Sequence, residues 1–219
     1  MKLEGLKINF LGDSITEGVG VTDKENIYWK RLARDNGLAE ARGYGIGGTR
    51  FAKQRVASAY AIWDKDFCSR YDEMDDDADV VVIFGGTNDF GHGDAPLGEM
   101  SDRTYDTFYG ACHTLFSGVI NKYPTSEIVI MTPLHRVSED DPIREGTNHR
   151  RSTNLEGYVN IIKEVAKYYS LPVLDLWSCS KIQPRVDILR QKYCPDGLHP
   201  NDDGHAIIAS RLAGFLQTL

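Results

Sequence analysis

Val80-Val81-Val82-Ile83-Phe84-Gly85-Gly86-Thr87-Asn88-Asp89 is the stretch whose reading decides the fold. Five apolar residues in a row, four of them β-branched, make a strand with no polar face. Such a strand is covered on both sides, as in a parallel sheet. The glycine pair ends it in a turn. Working outward, comparable strand-length runs stand at Lys7–Leu11, Ala41–Gly45, Glu127–Met131 and Val173–Leu176. Helix-period stretches lie between and after them, at Tyr28–Asn36, Thr104–Lys122, Leu155–Tyr169 and Asp203–Leu216. Asn201 or Asp202 is the expected N-cap of the last. This alternation predicts an α/β fold with a parallel sheet between helical layers. Arg50–Ala78 shows no readable period. With 219 residues, no repeat and no low-complexity linker, residues 1–219 are expected to form one domain.

In an open parallel sheet, ligands sit beyond the carboxyl ends of the strands. Three blocks of small and polar residues fall there. Gly12-Asp13-Ser14 follows the first strand, Tyr44-Gly45-Ile46-Gly47-Gly48-Thr49 closes the second, and Gly86-Thr87-Asn88-Asp89 follows the third. A fourth block, Asp196-Gly197-Leu198-His199-Pro200, precedes the last helix. Together they offer a serine, a histidine and an acid. A serine hydroxyl needs a base to take its proton, and the base needs a partner to fix its tautomer. Asp196, three residues before His199, can be that partner if the segment turns. The nucleophile elbow G-x-S-x-G is absent, because Ile15-Thr16 follows Ser14.

In these four blocks the chain resembles the GDSL, or SGNH, hydrolase family, named for a Ser, a Gly, an Asn and a His in separate motifs. The matching residues are Ser14, Gly48, Asn88 and His199, in order and spanning Gly12 to His199. The resemblance implies a flavodoxin-like three-layer α/β/α sandwich with a five-stranded parallel sheet. It also implies ester hydrolysis through an acyl-enzyme. Ser14 would be the nucleophile, His199 the base and Asp196 its orienting acid. The N–H groups of Ser14 and Gly48 and the amide of Asn88 would hold the oxyanion. Family members deacylate acetylated sugars, short-chain esters, lysophospholipids and thioesters.

Around this set, Asp13 and Asp89 read as turn-stabilising neighbours. His92, His135 and Arg136 are candidate substrate contacts, since each follows a strand-end motif. The segment His135–Ser152, with Arg136, Arg144, His149, Arg150 and Arg151, is either a solvated loop or a contact for a polar or anionic part of the substrate. His113 and His205 read as packing or surface residues. Phe51, Tyr60, Trp63 and Phe67 read as core, or as a sugar-stacking platform. No apolar lid is visible, so a small polar ester is expected, such as an O-acetylated carbohydrate. An acyltransferase on the same scaffold stays open, because water and an alcohol compete for one acyl-enzyme.

Charge and composition narrow the classes. Twenty-five basic residues against 32 acidic ones give a net charge of −7, which disfavours nucleic acid and anionic membrane surfaces as partners. The acidic run Asp72–Asp77 reads as a solvated loop. A dinuclear metallophosphoesterase would need an early Asp-x-His and a histidine directly after the Asn, where Asp89 stands; no metal or organic cofactor is expected. A non-catalytic anion-binding module would leave the Ser, His and Asp set without purpose. Met1–Lys7 has no apolar core of a signal peptide, and no segment approaches the roughly 18 apolar residues of a membrane helix. Cys68, Cys112, Cys179 and Cys194 show no CxxC pair. Reduced thiols and a cytoplasmic location are therefore the default expectation.

Overall fold

The computed structural model describes residues 1–219. Five parallel strands, β1 (Lys7–Gly12), β2 (Glu40–Gly45), β3 (Val80–Phe84), β4 (Glu127–Met131) and β5 (Val173–Leu174), form one sheet in the order β2-β1-β3-β4-β5. Nine α-helices accompany them: α1 (Ser14–Glu17), α2 (Tyr28–Asn36), α3 (Phe67–Arg70), α4 (Thr87–His92), α5 (Phe108–Lys122), α6 (Leu155–Tyr168), α7 (Leu176–Cys179), α8 (Asp187–Tyr193) and α9 (Asp202–Thr218).

The pleat explains why β3 is apolar throughout. Successive side chains point to opposite faces. Val81 and Ile83 enter a core with residues of α5 and α6, while Val80, Val82 and Phe84 enter a second core with residues of α2 and α9. Every residue of β3 is buried, and burying a large apolar side chain stabilises by about 1.5–3 kcal/mol. The expected three-layer α/β/α architecture is what forms.

The register brings the ends of the strands level. Gly12 of β1 pairs with Gly45 of β2 and with Phe84 of β3. The segments following these three strands therefore start from one edge.

The expected strand to Leu176 stops at Leu174, because Asp175 accepts the Ser178 N–H and caps α7. The helix expected from Thr104 starts at Phe108, where the Thr107 hydroxyl accepts the Gly110 N–H. Asn201 caps α9, which starts one residue earlier than its apolar period suggests. The unreadable stretch Arg50–Ala78 holds α3 and two short 3₁₀ turns, Ala61–Asp64 and Tyr71–Glu73.

Candidate active site

Ser14 is the first residue of α1, and Asp13 caps that helix by accepting the Ile15 N–H at 3.0 Å. Gly12 is required at the turn, since a Cβ there would lie 1.8 Å from the Thr16 hydroxyl. Arg70, almost fully buried, ties the loops together. One of its amino groups donates to the Tyr44 carbonyl at 2.6 Å, the other to the Gly12 carbonyl at 2.6 Å and the Thr49 hydroxyl at 3.0 Å.

His199 arrives from the other end of the chain. Gly197 turns the backbone with φ +81°, and Asp196 Oδ1 accepts the N–H groups of Leu198 at 2.8 Å and His199 at 2.7 Å. Asp196 Oδ2 stands 2.7 Å from His199 Nδ1, and His199 Nε2 stands 3.0 Å from Ser14 Oγ. A carboxylate only accepts, so Nδ1 carries the proton and Nε2 presents a lone pair to the serine hydroxyl. Partial burial works to raise the Asp196 carboxyl. The His199 and Leu198 N–H groups and the His199 ring outweigh it and hold the group below its ordinary value. It thus stays ionised beside the imidazole.

The glycine loop lies against this hydrogen-bonded chain. Gly48 has φ +74°, and a Cβ on it would stand 2.2 Å from the Trp63 ring. A Cβ on Gly47 would fall 3.6 Å from Ser14 Cβ. Glu17 Oε2 accepts the Gly47 N–H at 2.8 Å, whereas the Gly48 N–H has no acceptor within the protein. Asn88, on the first turn of α4, donates from Nδ2 to the Thr49 carbonyl at 3.0 Å, which uses one of its two N–H bonds. Asp89 accepts the N–H groups of Phe51 at 2.9 Å and Ala52 at 3.0 Å, fastening α4 to the chain beyond Gly48. Burial pushes the carboxyl of Asp13 up to about 6 and that of Asp89 up to about 7, against the N–H groups they accept.

Ser14, Asp196 and His199 thus form one hydrogen-bonded chain, with Gly48 and Asn88 joined through Thr49 at its side. His92 lies one turn beyond Asn88, its ring 4.6 Å from that of Trp63. Arg136 and His135 are placed differently. Each nitrogen of the buried Arg136 guanidinium is bonded within the protein, to Ser138, Thr87 and Glu145. His135 Nδ1 stands 2.8 Å from Glu139, and its ring lies 3.7 Å from Trp177. Both brace the loop after β4. Three residues of the frame escaped the reading of the sequence. Arg70 and Glu17 carry no local signal, because their partners are distant in the chain. Trp63 stood only among a group of aromatics. No three His, Cys, Asp or Glu side chains converge as metal ligands, and no helix is long and apolar enough to cross a membrane.

The chain and its fold have relatives. Residues 10–207 match the model of the GDSL-like lipase/acylhydrolase family. A protein of Lactobacillus plantarum of known crystal structure is 30% identical, with a TM-score of 0.82 and 98% of each chain covered. A possible lipase from Chitinophaga pinensis is 22% identical, with a TM-score of 0.68, covering 97% of this chain and 98% of its own. Axe2, an acetylxylan esterase from Geobacillus stearothermophilus, is 20% identical, with a TM-score of 0.62, covering 99% of this chain and 96% of its own. No curated protein sequence matches the chain.

Proposed function

The chain belongs to the GDSL-like lipase/acylhydrolase family and is an ester hydrolase, and from that premise we propose that it removes a short acyl group, acetyl above all, from a small polar or carbohydrate ester through an acyl-enzyme. The observation that carries the proposal is the continuous bond path from Asp196 through His199 to Ser14. In this mechanism Ser14 Oγ attacks the ester carbonyl carbon while His199 Nε2 takes its proton. The N–H groups of Ser14 and Gly48 and the free N–H of Asn88 Nδ2 hold the resulting oxyanion. As the tetrahedral adduct collapses, the C–O bond to the alcohol breaks and the alcohol leaves with the proton from His199. A water then repeats the attack with His199 as base, releasing the carboxylic acid and restoring Ser14. Asp196 keeps the imidazole in the tautomer this cycle needs.

What supports a polar substrate is the rim. Arg144, Thr147 and His149 line the open side beyond His92, and the fold is shared with an acetylxylan esterase. The test is a panel of p-nitrophenyl acetate, butyrate and octanoate with acetylated xylo-oligosaccharides, run beside fluorophosphonate labelling. Acetyl esters should be cleaved fastest and the label should sit on Ser14 alone. A preference for octanoate, or label elsewhere, would overturn the reading.

A further inference from the structure

Next to the glycine loop lies a polar cavity of about 270 Å³. Its walls come from three separate stretches: Arg50 after β2, His92 and Asp94 at the end of α4, and Arg144 and His149 from the loop between β4 and α6. Trp63 joins it to the candidate active site, since its ring lies against Gly48 and stands 4.6 Å from the ring of His92.

Two side-chain donors of this cavity, His92 Nε2 and the Arg144 guanidinium, have no partner within the protein. Arg50, 2% exposed, donates to Asp64 Oδ1 at 2.7 Å and to His92 Nδ1 at 3.0 Å. A guanidinium only donates, so His92 Nδ1 is the acceptor and its proton sits on Nε2, which has no partner in the protein. Burial, with the cations Arg50 and Arg136, pushes His92 down to about 4 and keeps it a neutral donor near pH 7. Arg144 is half-buried with no carboxylate in ion-pair range, unlike its loop neighbours Arg136, paired with Glu145, and Arg151, 3.9 Å from Asp141. Asp94, the one carboxylate in the wall, accepts the N–H groups of Arg55 at 2.7 Å and Val56 at 2.8 Å, one on each oxygen.

The loop that presents Arg144 is fastened. Arg151 donates to the carbonyls of Phe90 at 2.8 Å and Gly91 at 2.9 Å and lies 4.0 Å over the Phe90 ring. Ile143 and Arg150 form an antiparallel bridge across it. The loop that carries Arg144 is thus pinned to the helix that carries Asn88.

We propose that this cavity is a subsite for an anionic oxyacid group, a carboxylate or a phosphate, borne by the ester substrate; the proposal rests on the esterase reading. Asn88 and His92 are four residues apart on one helix, so their side chains emerge about 6 Å from each other on the same face. The anion would then sit roughly one sugar ring away from the ester carbonyl. An acylated uronic acid or an acylated sugar phosphate has that spacing.

The test compares an O-acetylated methyl glucuronoside with its neutral uronate methyl ester and with an O-acetylated sugar phosphate, in the wild type and in Arg144→Gln. The free acid should be favoured over its methyl ester about 10–100-fold in kcat/KM, mostly through KM, as a charge-assisted hydrogen bond predicts. Arg144→Gln should bring that ratio close to one. A larger preference for the phosphate supports the subsite and identifies phosphate as its ligand. Equal rates for acid, phosphate and methyl ester in the wild type, or a preference that survives Arg144→Gln, overturn it. Calorimetric titration of Ser14→Ala with the deacetylated glucuronoside and with the deacetylated sugar phosphate separates the two readings. If the wild type cleaves no ester yet either of them binds and Arg144→Gln abolishes binding, the esterase reading fails and the subsite stands. If esters are cleaved but neither the glucuronoside nor the sugar phosphate binds, the subsite fails.

Discussion

At Ser14, an ordinary hydroxyl differs from a nucleophile by one proton acceptor 3.0 Å away. Replacing Ser14 with Ala removes the proposed nucleophile and leaves Asp13 free to cap α1. Hydrolysis of p-nitrophenyl acetate should fall on the order of 10⁶-fold in kcat with an unchanged circular dichroism spectrum. Retention of a tenth of the wild-type kcat would sink the mechanism. Asn88→Ala should lower kcat about 10²–10³-fold with little change in KM, because the free N–H of its amide acts on charge that exists only in the transition state. A change confined to KM would instead make Asn88 a binder of ground-state substrate. These residues were legible in the sequence because each sits in a short motif beside a strand end. His135 and Arg136 sit beside a strand end too, yet His135 Nδ1 is engaged by Glu139 and the Arg136 guanidinium by Thr87 and Glu145. Position after a strand tells where a residue stands, not whether its donors remain free.

Among the elements, α9 positions the histidine. Asn201 accepts the Gly204 N–H at 3.0 Å and donates to the Lys192 carbonyl at 2.9 Å, so it caps α9 and ties it to the end of α8. Asn201→Ala should cost about 1 kcal/mol, seen as a lower urea midpoint at unchanged slope. Asn201→Asp, which keeps the accepting oxygen, should recover most of that loss, and equal destabilisation by both variants would rule out capping as the cause. This cap was readable to within one residue, as Asn201 or Asp202, because both stand directly before a clear helical period. The start of α5 was placed early, at Thr104, and the strand before α7 was carried on to Leu176, because apolar periodicity alone does not show that Thr107 and Asp175 turn their side chains back as caps. Arg50–Ala78 was opaque for another reason. Its backbone is held by side chains from elsewhere, Asp89 on Phe51 and Ala52 and Asp94 on Arg55 and Val56. No local pattern encodes such bonds.

Across the whole molecule, the helices from opposite ends of the chain, α2 and α9, meet in one layer at His205, whose Nδ1 accepts the Tyr28 N–H at 3.1 Å. Burial pushes this imidazole down to about 4, against about 6.5 in an unfolded chain. Between those values the unfolded state binds more protons, so the contribution of His205 is complete above pH of about 6.5 and is lost as pH falls toward 4. Its full size is about 3 kcal/mol. Asp13 and Asp89 act with the opposite sign, because their raised values make ionisation cost stability as pH rises through about 6 and about 7. The contrast of wild type with His205→Gln isolates the histidine: urea unfolding from pH 7 to 4 should show the wild type losing stability relative to the variant, and parallel curves would refute the assignment. The parallel sheet was legible because β3 is apolar on both faces; the order of its strands was not. Nor was the brevity of its outer strand, β5. That brevity and the character of the opposite edge have a consequence for the protein in crowded solution. An unpaired strand edge is a template on which another chain can add. At β5 only Val173 and Leu174 offer one, and at β2 Arg42 stands mid-strand, paired with Asp77 at 2.9 Å and Asp75 at 3.4 Å. Both borders are therefore poor templates for a further strand, which works against growth of the sheet by polymerisation at either end.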